Sequence, residues 1–136
     1  LARTLDQLDA LTPTLQDSSQ ATLAPRLRKE DGWLRFEEPA RALLDRVRGT
    51  NPWPGAALMT PVGRLIVWRA AAVDRPADAA PGTLVACGPN ATGIATADGL
   101  LVPVLVQPES KRPIAWADFL RGARLPPGAR VTEMHA

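Results

Sequence analysis

Between Arg48 and Ala56 the chain reads Arg-Gly-Thr-Asn-Pro-Trp-Pro-Gly-Ala, and no other stretch leaves the backbone so little choice. Pro52 and Pro54 each fix φ near about −65°, and Asn51 and Trp53, each standing before a proline, are pushed towards extended geometry. Gly49 suits the left-handed position that closes a helix. The segment therefore predicts a helix exit followed by a rigid turn anchored by an aromatic ring. Its prolines and glycines serve turn geometry, and none of its residues supplies an evident nucleophile, base or metal ligand.

Around this corner the chain has room for one modest core. At 136 residues, 46% of them hydrophobic, a single domain hides roughly two-thirds of its unfolded surface. Apolar runs fall far short of the ~20 residues a membrane-spanning helix needs, and no signal-peptide pattern opens the chain, so a cytoplasmic protein is expected. Cys87 is the sole cysteine, which excludes an intrachain disulfide and reads as a small apolar residue on a strand. With His135 the only histidine, no set of metal ligands can be assembled around it. Leu1, in place of a methionine and inside a helical pattern, reads as the start of a fragment.

Leu1, Leu5, Leu8 and Leu11 recur at helical spacing and predict an amphipathic helix over residues 1–11. Residues 12–32, punctuated by Pro13, Ser18, Ser19, Pro25 and Gly32, read as a linker. Trp33-Leu34-Arg35-Phe36 alternates like a short strand. Glu37, Glu38 and Pro39 suit the first turn of a helix whose apolar face is Ala40, Leu43, Leu44 and Val47, with Arg41, Arg46 and Arg48 near solvent. Strand patterns follow at 56–59, 65–72, 83–87, 93–97 and 100–107, with Pro61-Val62-Gly63 and Asp98-Gly99 as turns. Pro103 must sit at an edge or a bulge. A helix over Trp116–Arg121 is expected to stop at Gly122, and a last strand to run over Ala129–Thr132. The fold class is mainly β (α+β): a small oligonucleotide-binding-type β-barrel with helical inserts over residues 33–136, preceded by the helix and linker.

Chemistry-bearing constellations are scarce. Glu37-Glu38 is explained by a helix dipole, Asp98-Gly99 by a hairpin, and no glycine-rich phosphate loop is present. The remaining polar signal is basic. Only Lys29 and Lys111 are lysines among sixteen basic residues, and arginine grips phosphate with two hydrogen bonds where lysine offers a point charge. Arg26, Arg28 and Lys29 cluster in the linker, Arg48 ends a helix, Lys111 and Arg112 share a loop, and Arg121 and Arg124 stand around the last turn. These eight are the candidate RNA-binding residues, since small barrels present strands, loops and cations to nucleic acid. Trp33, Trp53, Trp68 and Trp116 read as core or turn anchors before they read as stacking platforms.

Taken in order, Gln16-Asp17, Ala21-Thr22-Leu23-Ala24-Pro25-Arg26-Leu27, Asn51-Pro52-Trp53-Pro54-Gly55, Gly63-Arg64-Leu65-Ile66-Val67-Trp68-Arg69-Ala70, Ala97-Asp98-Gly99, Leu105-Val106-Gln107-Pro108-Glu109 and Ala117-Asp118-Phe119-Leu120-Arg121-Gly122 closely resemble the C-terminal part of the methionyl-tRNA formyltransferase family. The resemblance implies an enzyme that transfers a formyl group from the co-substrate 10-formyltetrahydrofolate to the amino group of methionyl-initiator tRNA in translation initiation. It implies a Rossmann-like catalytic domain ahead of this chain, with residues 1–11 as that domain's last helix, 12–32 as a basic linker and 33–136 as the tRNA-binding barrel. On that reading this chain alone carries no catalytic residue, cofactor or metal site, and its partners are initiator tRNA and its own catalytic domain. The alternative is the equivalent domain of a relative acting on a nucleotide amino sugar or on folate, which needs no tRNA surface. The sequence departs from the family pattern at Arg35-Phe36, at Ala115, where a serine usually caps the late helix, and at Glu109-Ser110-Lys111-Arg112, which lacks a frequent glycine.

Overall fold

A computed structural model describes residues 2–135. From residue 33 onward the chain forms one antiparallel sheet and two helices of eight or more residues: α2 (Ala40–Gly49), β1 (Ala56–Thr60), β2 (Gly63–Val73), β3 (Leu84–Gly88), β4 (Ala91–Ala95), β5 (Leu100–Pro108), β6 (Ile114–Ala115) and α3 (Trp116–Ala123). The strands lie in the order β1-β2-β5-β4-β3, with β6 paired to β5. The longest pairing joins β2 to β5, from Leu65 opposite Pro108 to Val73 opposite Leu100. Alternation along β2 separates two faces: Leu65 and Val67 are buried, while Ile66 and Trp68 are half-buried on the other face. Leu58, Leu65, Val67, Leu84, Ile94, Leu101 and Val106 then form one apolar layer, capped by Leu43 and Val47 of α2 and by Phe119 and Leu120 of α3.

Pro103 shows how this sheet accommodates a residue without a backbone donor. β5 is a central strand, but β4 pairs with it only at Leu100 and Leu101, short of Pro103. On the other side Pro103 faces Ala70, next to register shifts at Val67/Arg69 and Arg69/Ala70. A proline is tolerated where the ladder is already interrupted.

The C-terminal segment touches both ends of the sheet. Thr132 exchanges two hydrogen bonds of 2.9 Å with Met59 of β1, while Val131 donates to the Gly82 carbonyl and Leu84 of β3 donates to Ala129, each at 2.8 Å. The predicted strand over 129–132 is thus present only as isolated bridges. Trp33–Phe36 likewise makes a single parallel bridge, Trp33 to Ala57, because the chain turns at once towards α2. Three buried threonines close turns: the Thr50, Thr60 and Thr96 hydroxyls each donate at 2.8 Å, to the Arg46, Gly63 and Gly99 carbonyls respectively.

Elsewhere the expectations need correction. The amphipathic helix over residues 1–11 is two short pieces, α1 (Ala2–Asp6) and a 3-10 turn at Leu8–Ala10, and Leu1 lies outside the described residues. Gly49 is the last residue of α2 and Thr50 caps it with an ordinary negative φ of −98°. Gly122 lies inside α3, whose left-handed cap is Arg124 at φ 53°. β4 begins two residues earlier than its pattern suggested, and Cys87 is half-buried on β3.

Candidate nucleic-acid interface

The Asn51–Gly55 corner is held by backbone more than by its tryptophan. The Gly55 amide donates to the Thr50 carbonyl at 2.8 Å, and Gly55 has φ of 82°. A Cβ on Gly32 would lie 2.1 Å from the Gly55 carbonyl oxygen, so the backbone at Gly32 rests directly on the corner and only glycine fits. Trp53, expected as the anchor, is 56% exposed. The ring that lies against the corner is Trp68 of β2, 3.7 Å from the Cβ that Gly55 lacks.

From Trp68 a line of side-chain hydrogen bonds runs to the basic loop. Asn51 Nδ2 donates to the Trp68 carbonyl at 3.3 Å, Trp68 Nε1 donates to Gln107 Oε1 at 2.8 Å, and Gln107 Nε2 donates to the Lys111 carbonyl at 2.7 Å. The Lys111 amide closes the turn onto Pro108 at 3.1 Å. Ser110 takes φ of 59°, a left-handed conformation that residues other than glycine seldom adopt. Loop 109–112 is therefore fixed from both strands beneath it.

All eight candidate cations are exposed, but they do not form one patch. Arg26 and Arg28 lie on the exposed segment before Gly32, and Lys29 opens the 3-10 turn Lys29–Gly32, which is held by the Arg28 amide donating to Asp31 Oδ2 at 2.7 Å. Arg48 approaches Asp45 at 3.7 Å on α2, and Arg121 approaches Asp118 at 3.3 Å on α3. Arg121 and Arg124 line a groove of about 730 Å³ floored by Val102, Val104 and Trp116. Lys111 lines a second cleft, of about 620 Å³, between the β1–β2 turn, loop 108–111 and α3. Arg112 lies beside it in sequence and, like Arg26, Arg28, Lys29, Lys111 and Arg124, forms no ion pair with a described residue.

Two arginines depart from the sequence reading. Arg46, expected near solvent, is half-buried and donates from Nη1 to both the Trp33 carbonyl and Glu38 Oε1 at 3.0 Å, tying the entry segment to α2. Arg64, which carried no expectation, shares the second cleft with Lys111, and its Nε is sealed from solvent without a hydrogen-bond partner. Its outward place in the Gly63-Arg64-Leu65 alternation was the available signal. Of the other tryptophans, Trp33 is half-buried and Trp116 is core: buried, stacked on Phe119 at 5.7 Å and bonded through Nε1 to the Thr92 carbonyl at 2.7 Å. Among the described residues no group of three or more His, Cys, Asp or Glu could hold a metal ion, and no helix is long and apolar enough to cross a membrane.

A small antiparallel sheet with two packed helices, and arginines distributed over its outer surface, defines a small β-rich domain. The chain belongs to the family described as formyl transferase, C-terminal domain, which matches residues 26–124. It is 40% identical over 137 residues to the methionyl-tRNA formyltransferase of Solibacter usitatus, covering 99% of this chain and 43% of that protein. It is 44% identical over 115 residues to the methionyl-tRNA formyltransferase of Nitrosococcus oceani, covering 85% and 36%. The chain thus spans less than half the length of these relatives. Among solved structures, HypX from Aquifex aeolicus superposes with a TM-score of 0.63 at 18% identity, over 90% of this chain and 22% of HypX. HypX in complex with tetrahydrofolic acid gives 0.60 at 18% identity over 88% and 22%. These two matches speak for the shared fold.

Proposed function

We propose that this chain is the tRNA-facing C-terminal part of a methionyl-tRNA formyltransferase, working in the cytoplasm with a catalytic domain ahead of it that uses 10-formyltetrahydrofolate. The observation that carries the reading is the match to methionyl-tRNA formyltransferases over nearly the whole chain, joined to a surface whose unpaired cations are mostly arginines. Residues 2–31 bury no side chain, which suits a helix and linker that pack against another unit. The hydrogen bonds from segment 128–132 to both β1 and β3 support a sheet closed into an oligonucleotide-binding-type barrel. On this barrel Lys111, Arg112, Arg121 and Arg124 meet phosphates, while Arg26, Arg28 and Lys29 extend the binding surface along the linker and Arg48 along α2.

The test is formylation by the full-length enzyme with Lys111 and Arg112, and separately Arg121 and Arg124, reversed to Glu. Each pair raises KM for methionyl-tRNA about tenfold or more and leaves KM for the folate unchanged. An enzyme that formylates an amino sugar or folate and ignores methionyl-tRNA would replace this reading with the alternative.

A further inference from the structure

We infer that the cleft between the β1–β2 turn, loop 108–111 and α3 is a phosphate-binding site in which Arg64 and Lys111 hold the anion. Arg64 stands on β2 opposite Met59, with loop 109–112 drawn over its strand by the Glu109 amide, which donates to the Arg64 carbonyl at 3.3 Å. Its guanidinium Nε is buried and bonded to nothing. Buried donors without partners are rare in native proteins, and an anion that draws this guanidinium outward into the cleft would give the donor a partner. The cleft this arginine lines, about 620 Å³ in volume, also receives Lys111 and Ser110.

The charge balance of the cleft favours an anion. Its acids are Glu109 and Asp118; Asp118 faces Arg121 at 3.3 Å, and Glu109 pairs with no described residue. Arg64 and Lys111 are thus opposed by one uncommitted carboxylate. The Trp68–Gln107–Lys111 hydrogen bonds fix the Lys111 backbone, so the lysine approaches from a set position while the arginine offers a planar fork. The exposed side chain of Ile114 also lines the cleft and offers a sugar or base an apolar contact.

The ligand chemistry is a phosphate ester, either a backbone phosphodiester of the RNA proposed above or the terminal phosphate of a mononucleotide. Only the first source rests on the RNA reading; the site itself does not. Inorganic phosphate, AMP and initiator tRNA are each titrated into the isotope-labelled 136-residue chain, following the Arg64 Nε–H and Lys111 amide signals. At least one of the three shifts both signals saturably; Arg64→Met and Lys111→Met each weaken that binding about tenfold, and Glu109→Gln tightens it severalfold. Lys111 is exposed, so its variant remains informative should Arg64→Met fail to fold.

Signals unmoved by all three ligands, or affinities indifferent to Lys111→Met and Glu109→Gln, overturn the site. If tRNA binds and weakens on reversal of Arg121 and Arg124 but not with Arg64→Met or Lys111→Met, the cleft inference falls and the RNA reading stands. If phosphate or AMP saturates the cleft while tRNA does not bind, the site stands and the RNA reading falls.

Discussion

Residues 2–31 and the domain that follows carry the same arginine-rich chemistry in opposite mechanical settings. Every described side chain before Gly32 is exposed, with Leu15 and Leu23 each at 97%, and the segment's side-chain hydrogen bonds are local ones, within three residues. Beyond Gly32, Lys111 sits on a loop fixed through Gln107 of β5 to Trp68 on the neighbouring strand, and the groove of Arg121 and Arg124 is built on a core helix. Cations on an unpacked segment supply charge without direction; cations on a fixed loop also select geometry. On the proposed RNA reading, the cations held on the folded domain are the ones that orient a phosphate backbone, and those before Gly32 add charge without orientation.

The largest effect that separates the two regions is on stability. Leu58 is fully buried at the centre of the sheet, and Leu58→Ala should cost about 2–5 kcal/mol, read by chemical denaturation. Leu15→Ala should leave the same midpoint unchanged. An equal loss from both would mean that the first segment packs in solution.

A smaller effect sharpens the account of the domain's own imperfections. α3 starts after Ala115, which makes no side-chain cap, and Ala115→Ser should add about 1 kcal/mol by accepting from an early amide of the helix. No change in the melting midpoint would show that these amides are already satisfied by other partners.

The smallest effect concerns two exposed aspartates held below the ordinary carboxylate range for different reasons. Asp17 is lowered chiefly by the Ser19 hydroxyl within its own turn, whereas Asp74 is lowered by hydrogen bonding and attraction from Arg41, 2.8 Å away across the fold. Because the folded value for Asp74 lies below the unfolded one, its contribution to stability is present above about pH 4 and disappears as pH falls through the folded value. Arg41→Gln should return Asp74 to the ordinary range in an NMR titration and leave Asp17 where it is; a shift in both would contradict the separation of the two regions.

How far the fold was legible follows from which signals were local. The apolar stripe of α2 and the two faces of β2 were readable because their periods match helix and strand. Gly49 and Gly122 misled because each lies within its helix and a later residue is the cap: Thr50, whose amide and hydroxyl both donate to the Arg46 carbonyl, and Arg124, which itself takes the left-handed conformation. The tie of segment 128–132 to both end strands is a long-range fact with no local pattern. The basic candidates were visible as residue types, but their division among linker, α2, groove and cleft was not. Arg64 escaped notice because an outward arginine on a strand reads as solvated, and that its Nε is buried has no local signal in the sequence.

The central claim is that this domain holds tRNA through phosphates. The most direct measurement is the dissociation constant of labelled initiator tRNA across a series of salt concentrations, for the wild type and for the Lys111→Glu, Arg112→Glu variant. The account predicts affinity that falls steeply and linearly on logarithmic axes as salt rises, with the slope shallower by about one for each phosphate that the variant no longer neutralises. Binding absent at low salt, or a slope and affinity the same in both proteins, would contradict it.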